Sequence, residues 1–192
     1  KPVPFLYRRE NMNYDKLMVV AHPDDESIFG GGALLKEEGW FVLSVTNGSN
    51  PIRREEFARV MDSVKAEHEI WDFEDKWNGD FDRVKLKKDL RLLLEMKEWK
   101  KIVTHGLQGE YGHTQHIALS EVMHEIVGDN LFVFSFSSND NETLPFELIE
   151  GKLSMLSQYK SQYFIIEDFK AILAKEKIIP SEGRKYLERK WA

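Results

Sequence analysis

The sequence predicts an α/β fold: a single-domain, Rossmann-like, mostly parallel sheet with helices on both faces. Three observations carry this expectation. Short β-branched and aromatic runs alternate with longer amphipathic stretches, which is the order of βαβ units. The chain has 192 residues, of which 42% are hydrophobic and 12% aromatic, enough for one packed core and too little for two. The chemically unusual residues collect where the strands should end, as ligand sites do in open α/β sheets.

In chain order, strands are expected at Lys16–Ala21, Phe41–Thr46, Glu69–Phe73, Lys101–Thr104 and Leu131–Phe136. Helical patterns lie between them at about Ser27–Glu38, Arg53–Ala66, Arg83–Trp99 and Thr114–Val127. Within the third, Leu86, Leu90, Leu93 and Leu94 form a core-facing stripe at i, i+4, i+7 and i+8. Beyond Asn141 a short strand near Phe146–Ile149 precedes helical segments from Gly151 to the end. No repeat, low-complexity tract or Gly/Ser linker interrupts the pattern, so residues 1–192 read as one domain, with 1–11 as a tail and Met12 as a natural start.

Composition narrows the function. The net charge is −6, and the basic pairs Arg53-Arg54, Lys87-Lys88 and Lys100-Lys101 are interleaved with acids. That disfavours nucleic acid or an anionic membrane surface as partner. There is no cysteine, which excludes disulfides, thiolate zinc sites and a cysteine nucleophile. The apolar runs are too short to span a bilayer, and the first residues carry no signal-peptide core. A cytoplasmic location is the expectation, and homo-oligomerisation is left open.

The unusual residues sit after each strand. His22-Pro23-Asp24-Asp25-Glu26 follows the first, Thr46-Asn47-Gly48 ends the second, and Asp75 to Asp80 follows the third. Thr104-His105 closes the fourth and leads into Gly109-Glu110-Tyr111-Gly112-His113. His68 and His124 fall elsewhere and receive no function. Gly30-Gly31-Gly32 after the first turn resembles a dinucleotide loop only superficially. Three carboxylates stand where phosphate would have to bind, and they attract a cation instead. The glycines read as places where a helix approaches the sheet. His22 and Asp25 are three apart, as are His113 and His116, so each pair can face one way. Two imidazoles and a carboxylate leave coordination positions open, as a catalytic metal site requires.

The elements AHPDDE (Ala21–Glu26) and GEYGHTQH (Gly109–His116) resemble the LmbE/PIG-L family of zinc-dependent de-N-acetylases, over about Met12 to Gln162. The resemblance implies an LmbE-like fold and one Zn²⁺ per chain held by His22, Asp25 and His116. It implies Asp24 as general base, His113 as a second catalytic residue, and Tyr111 as a group helping to bind the oxyanion. Arg53-x-x-Glu56 resembles an R-x-x-E element whose Arg53 contacts the sugar. The implied reaction is hydrolysis of an N-acetyl group on an N-acetylglucosamine-type sugar or glycoconjugate. Two positions depart from the pattern: Tyr159 stands where His is usual in H-x-S-Q and receives no role, and Gln115 stands where Asp is usual. A neutral amide there weakens the expected basicity of His113.

Two other readings fit the same residues. Two histidines and one carboxylate also describe a non-haem Fe(II) enzyme, although those usually sit on all-β scaffolds. A catalytically silent sugar-binding module would have no need of a base such as Asp24. Trp77, between the third strand and its helix, reads as a core or rim residue that could stack on a sugar.

Overall fold

The computed structural model describes residues 14–135, 142–183 and 188. The elements run β1 (Lys16–Val20), α1 (Asp25–Lys36), β2 (Trp40–Thr46), α2 (Pro51–Ser63), β3 (Glu67–Phe73), α3 (Arg83–Leu94), β4 (Lys101–Thr104), a tight turn α4 (Gly109–Gly112), α5 (Thr114–Ile126) and β5 (Leu131–Phe134). They continue with β6 (Glu142–Thr143), α6 (Phe146–Leu156), a 3-10 turn at Lys160–Gln162, α7 (Tyr163–Asp168), β7 (Lys175–Glu176) and β8 (Ile178–Pro180). Six strands form the main sheet in the order β3-β2-β1-β4-β5-β8. The first five are parallel, and β8 runs antiparallel to β5 at the edge.

Alternation along each strand builds a core on both faces. Leu17 and Val19 of β1 join Leu86 and Leu90 of α3 and Leu119 and Met123 of α5. Met18 and Val20 point the other way, to Ile28 and Phe29 of α1, Phe57 and Met61 of α2, and Met155 and Leu156 of α6. The chain winds from β1 through β2 to β3, then crosses back to place β4 beside β1. The winding direction reverses between β1 and β4, and in such sheets ligands bind beside the carboxyl ends at that reversal.

The five parallel strands fall where the sequence predicts them, though Phe136, residues 1–11 and Met12 lie outside the described residues. Three expectations are corrected. The third helix stops at Leu94 rather than Trp99. Trp99 is buried instead under Tyr14, ring centroids 5.8 Å apart, and its carbonyl accepts a hydrogen bond from Asn130. Phe146–Ile149 is not a strand but the first turn of α6, entered from Pro145. Its inward stripe is Leu148, Lys152, Met155 and Leu156. A lysine in that stripe hides the helical period. Lys152 is fully buried because its ammonium lies 3.0 Å from Glu176 of β7. The chain after Gly151 is thus not all helical: β7 and β8 follow α7.

Gly30 meets the sheet as expected, since a Cβ there would stand 2.7 Å from Met18 Cε and 3.1 Å from Phe134. Gly31 and Gly32 face Lys152, Leu144 and Glu176 instead. Among the described residues no helix is long and apolar enough to cross a membrane.

Candidate active site

The turn from β1 into α1 supplies the first group. Asp24 has φ 117°, ψ −30°, a conformation that costs a non-glycine residue about 1–3 kcal/mol. Its neighbours hold it there. Its N–H donates to Glu26 Oε2 (3.0 Å), and its carbonyl accepts from the N–H groups of Ser27 and Ile28, both at 2.9 Å. Glu26 is anchored in turn by the hydroxyls of Ser27 and Tyr159, each 2.6 Å from Oε1. Arg53, buried at the start of α2, donates to the carbonyl of Pro23 and lies 3.5 Å from Asp24 Oδ2. Burial pushes the Asp24 carboxyl well above the usual range, against the pull of Arg53. The helix that carries Arg53 starts where it does because Asn50 caps it and Pro51 follows.

The loop after β4 supplies the second group. His113 caps α5, its Nδ1 accepting from the N–H of Gln115 at 3.2 Å. The proton of a neutral His113 is therefore on Nε2. Burial and the neighbouring rings of His116 and His22 lower its pKa to about 4, so it is held neutral. One turn on, His116 faces back toward β1. Its Nδ1 lies 2.7 Å from Glu110 Oε2, and so does Nδ1 of His105.

Three atoms converge between the groups. Asp25 Oδ2 is 3.2 Å from His22 Nδ1 and 3.3 Å from His116 Nε2, and those two nitrogens are 3.3 Å apart. The hydrogen bonds around them fix which nitrogens carry protons. The Gln115 amide is oriented by donating to the Glu74 carbonyl (2.7 Å) and accepting from Lys76 N–H (3.0 Å). Its Oε1 must therefore accept from His22 Nε2 at 3.0 Å, with Asp75 also close at 3.4 Å. The proton of a neutral His22 sits on Nε2 and that of His116 on Nδ1, opposite Glu110. Three lone pairs then face one another, and only a positive charge reconciles them. Without a metal the charge is a proton. Burial opposes it, but Asp25 and Asp75 raise the His22 pKa to about 10. Donors on one tetrahedral zinc ion at about 2.0–2.1 Å lie roughly 3.3 Å apart, so the set fits such an ion. His105, Glu110 and His116 form a second convergent set, but their 2.7 Å separations are hydrogen-bond lengths.

The segments after β1 and β4 thus bring together His22, Asp24, Asp25, His113 and His116, with Arg53 beside Asp24. Tyr111 is at the rim, 40% exposed, its ring 5.8 Å from His113 and 5.0 Å from Phe169. Trp77 is 67% exposed, its ring edge-on to His113 at 5.5 Å; it is a rim residue. Sequence reasoning gave no task to His105, Glu110, Glu26, Asp75 or Tyr159. Position at a strand end signals His105 and Asp75, but a buried bond such as Tyr159–Glu26 has no sequence signature. The expected effect of Gln115 on His113 is also redrawn: the side chain serves His22, and only the backbone N–H meets His113.

Fold and site together define an α/β protein with a convergent His/Asp cluster that could hold a metal ion, at the reversal point of a mostly parallel sheet. The family described as PIG-L, GlcNAc-PI de-N-acetylase, matches residues 17–127, and the chain belongs to that family. Uncharacterized protein L374 of Acanthamoeba polyphaga mimivirus is 38% identical over 189 residues, 89% of this chain and 82% of that protein. N,N'-diacetylchitobiose deacetylase from Pyrococcus horikoshii superposes with a TM-score of 0.65 at 17% identity, covering 87% of this chain and 79% of its own. GalB, the 4-carboxy-2-hydroxymuconate hydratase of Pseudomonas putida KT2440, gives 0.62 at 17% identity, covering 83% and 84%. One scaffold carries a deacetylase and a hydratase, so the reaction has to be argued from side chains.

Proposed function

We propose that this chain is a metal-dependent hydrolase that removes the acetyl group from an N-acetylated sugar or glycoconjugate of the N-acetylglucosamine type. The observation that carries the reading is the convergence of His22 Nδ1, Asp25 Oδ2 and His116 Nε2 within 3.3 Å of one another, with Asp24 beside the set. Membership of a de-N-acetylase family supports the reaction class.

His22, Asp25 and His116 would hold one zinc ion. Bound there, it would supply Lewis-acid polarisation of the acetamide carbonyl and make water a competent nucleophile near neutral pH. The remaining chemistry belongs to the chain. Asp24 is not needed as a ligand and takes the proton of the attacking water as the oxygen–carbon bond forms. The carbonyl π electrons move to oxygen, where the Nε2–H of His113 and the Tyr111 hydroxyl are the available donors. The C–N bond then breaks, and Asp24 returns its proton to the leaving amine, giving acetate and a free amino sugar. His113, whose Nδ1 is occupied by the N–H of Gln115, offers its Nε2–H as the donor to the carbonyl oxygen. Arg53 Nε is buried and has no hydrogen-bond partner among the described residues.

The test is a screen of N-acetylated sugars for free-amine release, with metal content measured on the same preparation. Anaerobic release of amine and acetate supports hydrolysis and separates it from an O₂-dependent Fe(II) reaction. Tight sugar binding with no release would support the silent module.

A further inference from the structure

Glu110 has no task in the proposed reaction, yet the fold buries its side chain completely. The carboxylate accepts three N–H groups. Oε1 takes the N–H of Gly106 at 2.8 Å, and Oε2 takes Nδ1 of both His105 and His116 at 2.7 Å. The two rings stack, centroids 3.8 Å apart at 23°. His105 Nε2 accepts the N–H of Ala21 at 3.0 Å, with Asp25 Oδ2 3.5 Å away, so Nδ1 carries the proton that faces Glu110. Glu110 also has φ 57°, ψ −71°. Its neighbours Gly109 and Gly112 adopt positive φ as glycine can, but Glu110 does so with a side chain. A residue kept in that conformation points to a need for its carboxylate.

We propose that Glu110 is a positioning residue that fixes the tautomer of His116, holding the proton on Nδ1 so that the Nε2 lone pair faces the metal set. This rests on His116 being a ligand, as proposed above. His105 is the counterweight: clamped between Ala21 N–H and the carboxylate, it keeps Oε2 in line with His116. A glutamine cannot replace the carboxylate, since whichever way its amide turns, an NH₂ faces either the Gly106 N–H or the two imidazole N–H groups. Carboxylates behind ligating histidines commonly set metal affinity in this way.

Two measurements decide it. Long-range ¹H–¹⁵N spectra of the metal-free protein should show His105 and His116 as Nδ1–H tautomers, and Glu110→Gln should change the His116 pattern. Competition with a chromophoric chelator should show Glu110→Gln binding zinc about 10–100-fold more weakly, while melting of the metal-free variant reports whether it folds. An Nε2–H tautomer for His116 in the wild-type protein, or zinc affinity of folded Glu110→Gln within twofold of wild type, overturns the proposal. Should the variant fail to fold, the wild-type spectrum still decides. Should wild-type protein bind no zinc, the metal reading fails, and the spectrum tests Glu110 by itself.

Discussion

Tyr159 and Glu26 meet through a 2.6 Å hydrogen bond although 133 residues separate them, and the other oxygen of Glu26 holds the backbone N–H of Asp24. Two positions on, Ser161 donates through its N–H and hydroxyl to Glu56 (2.9 and 2.6 Å), the acid of R-x-x-E. The segment after α6 therefore clasps both motifs from behind, and its tyrosine acts on the turn that carries Asp24.

Replacing Tyr159 by Phe keeps the buried ring and removes only that donor. Loss of a hydrogen bond to a buried acid costs about 1.5–3 kcal/mol. For a chain of this size that lowers Tm by roughly 3–12 °C. Thermal melts of the two proteins check it, and a Tm within a degree of wild type would show the bond to be idle.

Removing the metal should stop turnover without unfolding the chain. Apolar cores lie on both faces of the sheet and do not involve the proposed ligands. A chelator should abolish amine release, zinc should restore it, and far-ultraviolet circular dichroism should stay constant. Full activity of metal-free protein would sink the proposed chemistry.

Arg53 reaches the Pro23 carbonyl and Asp24 with one planar group, which a lysine cannot imitate. Arg53→Lys should keep its metal and lose about 10–100-fold in kcat/KM, equivalent to a charge-assisted bond or two. Unchanged rates on every accepted substrate would remove Arg53 from the site.

Lys152 and Glu176 form a buried pair whose carboxylate also accepts the N–H groups of Gly32 and Ala33. Lys152→Met leaves that carboxylate uncompensated and should cost about 3–5 kcal/mol in urea unfolding. Adding Glu176→Gln should recover part of the loss. A double variant no better than the single one would mean the charge is not the cause.

The parallel strands and the ends that carry chemistry were legible in sequence because period-2 apolar runs and polar strand termini are local signals. Lys152 shows where that fails: a buried charge breaks the helical stripe of α6, and its partner is 24 residues away. The three residues proposed as ligands lie in AHPDDE and GEYGHTQH and the fold brings them together, but the groups around them were not legible. Glu110, Gln115 and Tyr159 act through tautomers and bonds that only the folded chain brings within reach.

The division of labour between Asp24 and Asp25 is the central claim, and metal stoichiometry with kcat on two variants side by side tests it most directly. Asp25→Ala should lose metal affinity, with activity partly restored by excess zinc. Asp24→Asn should keep the metal and lose about 10²–10⁴-fold in kcat, with no rescue by added zinc. Loss of zinc from Asp24→Asn with retention in Asp25→Ala would reverse the two roles. Retention of metal and activity in both would place the active site elsewhere.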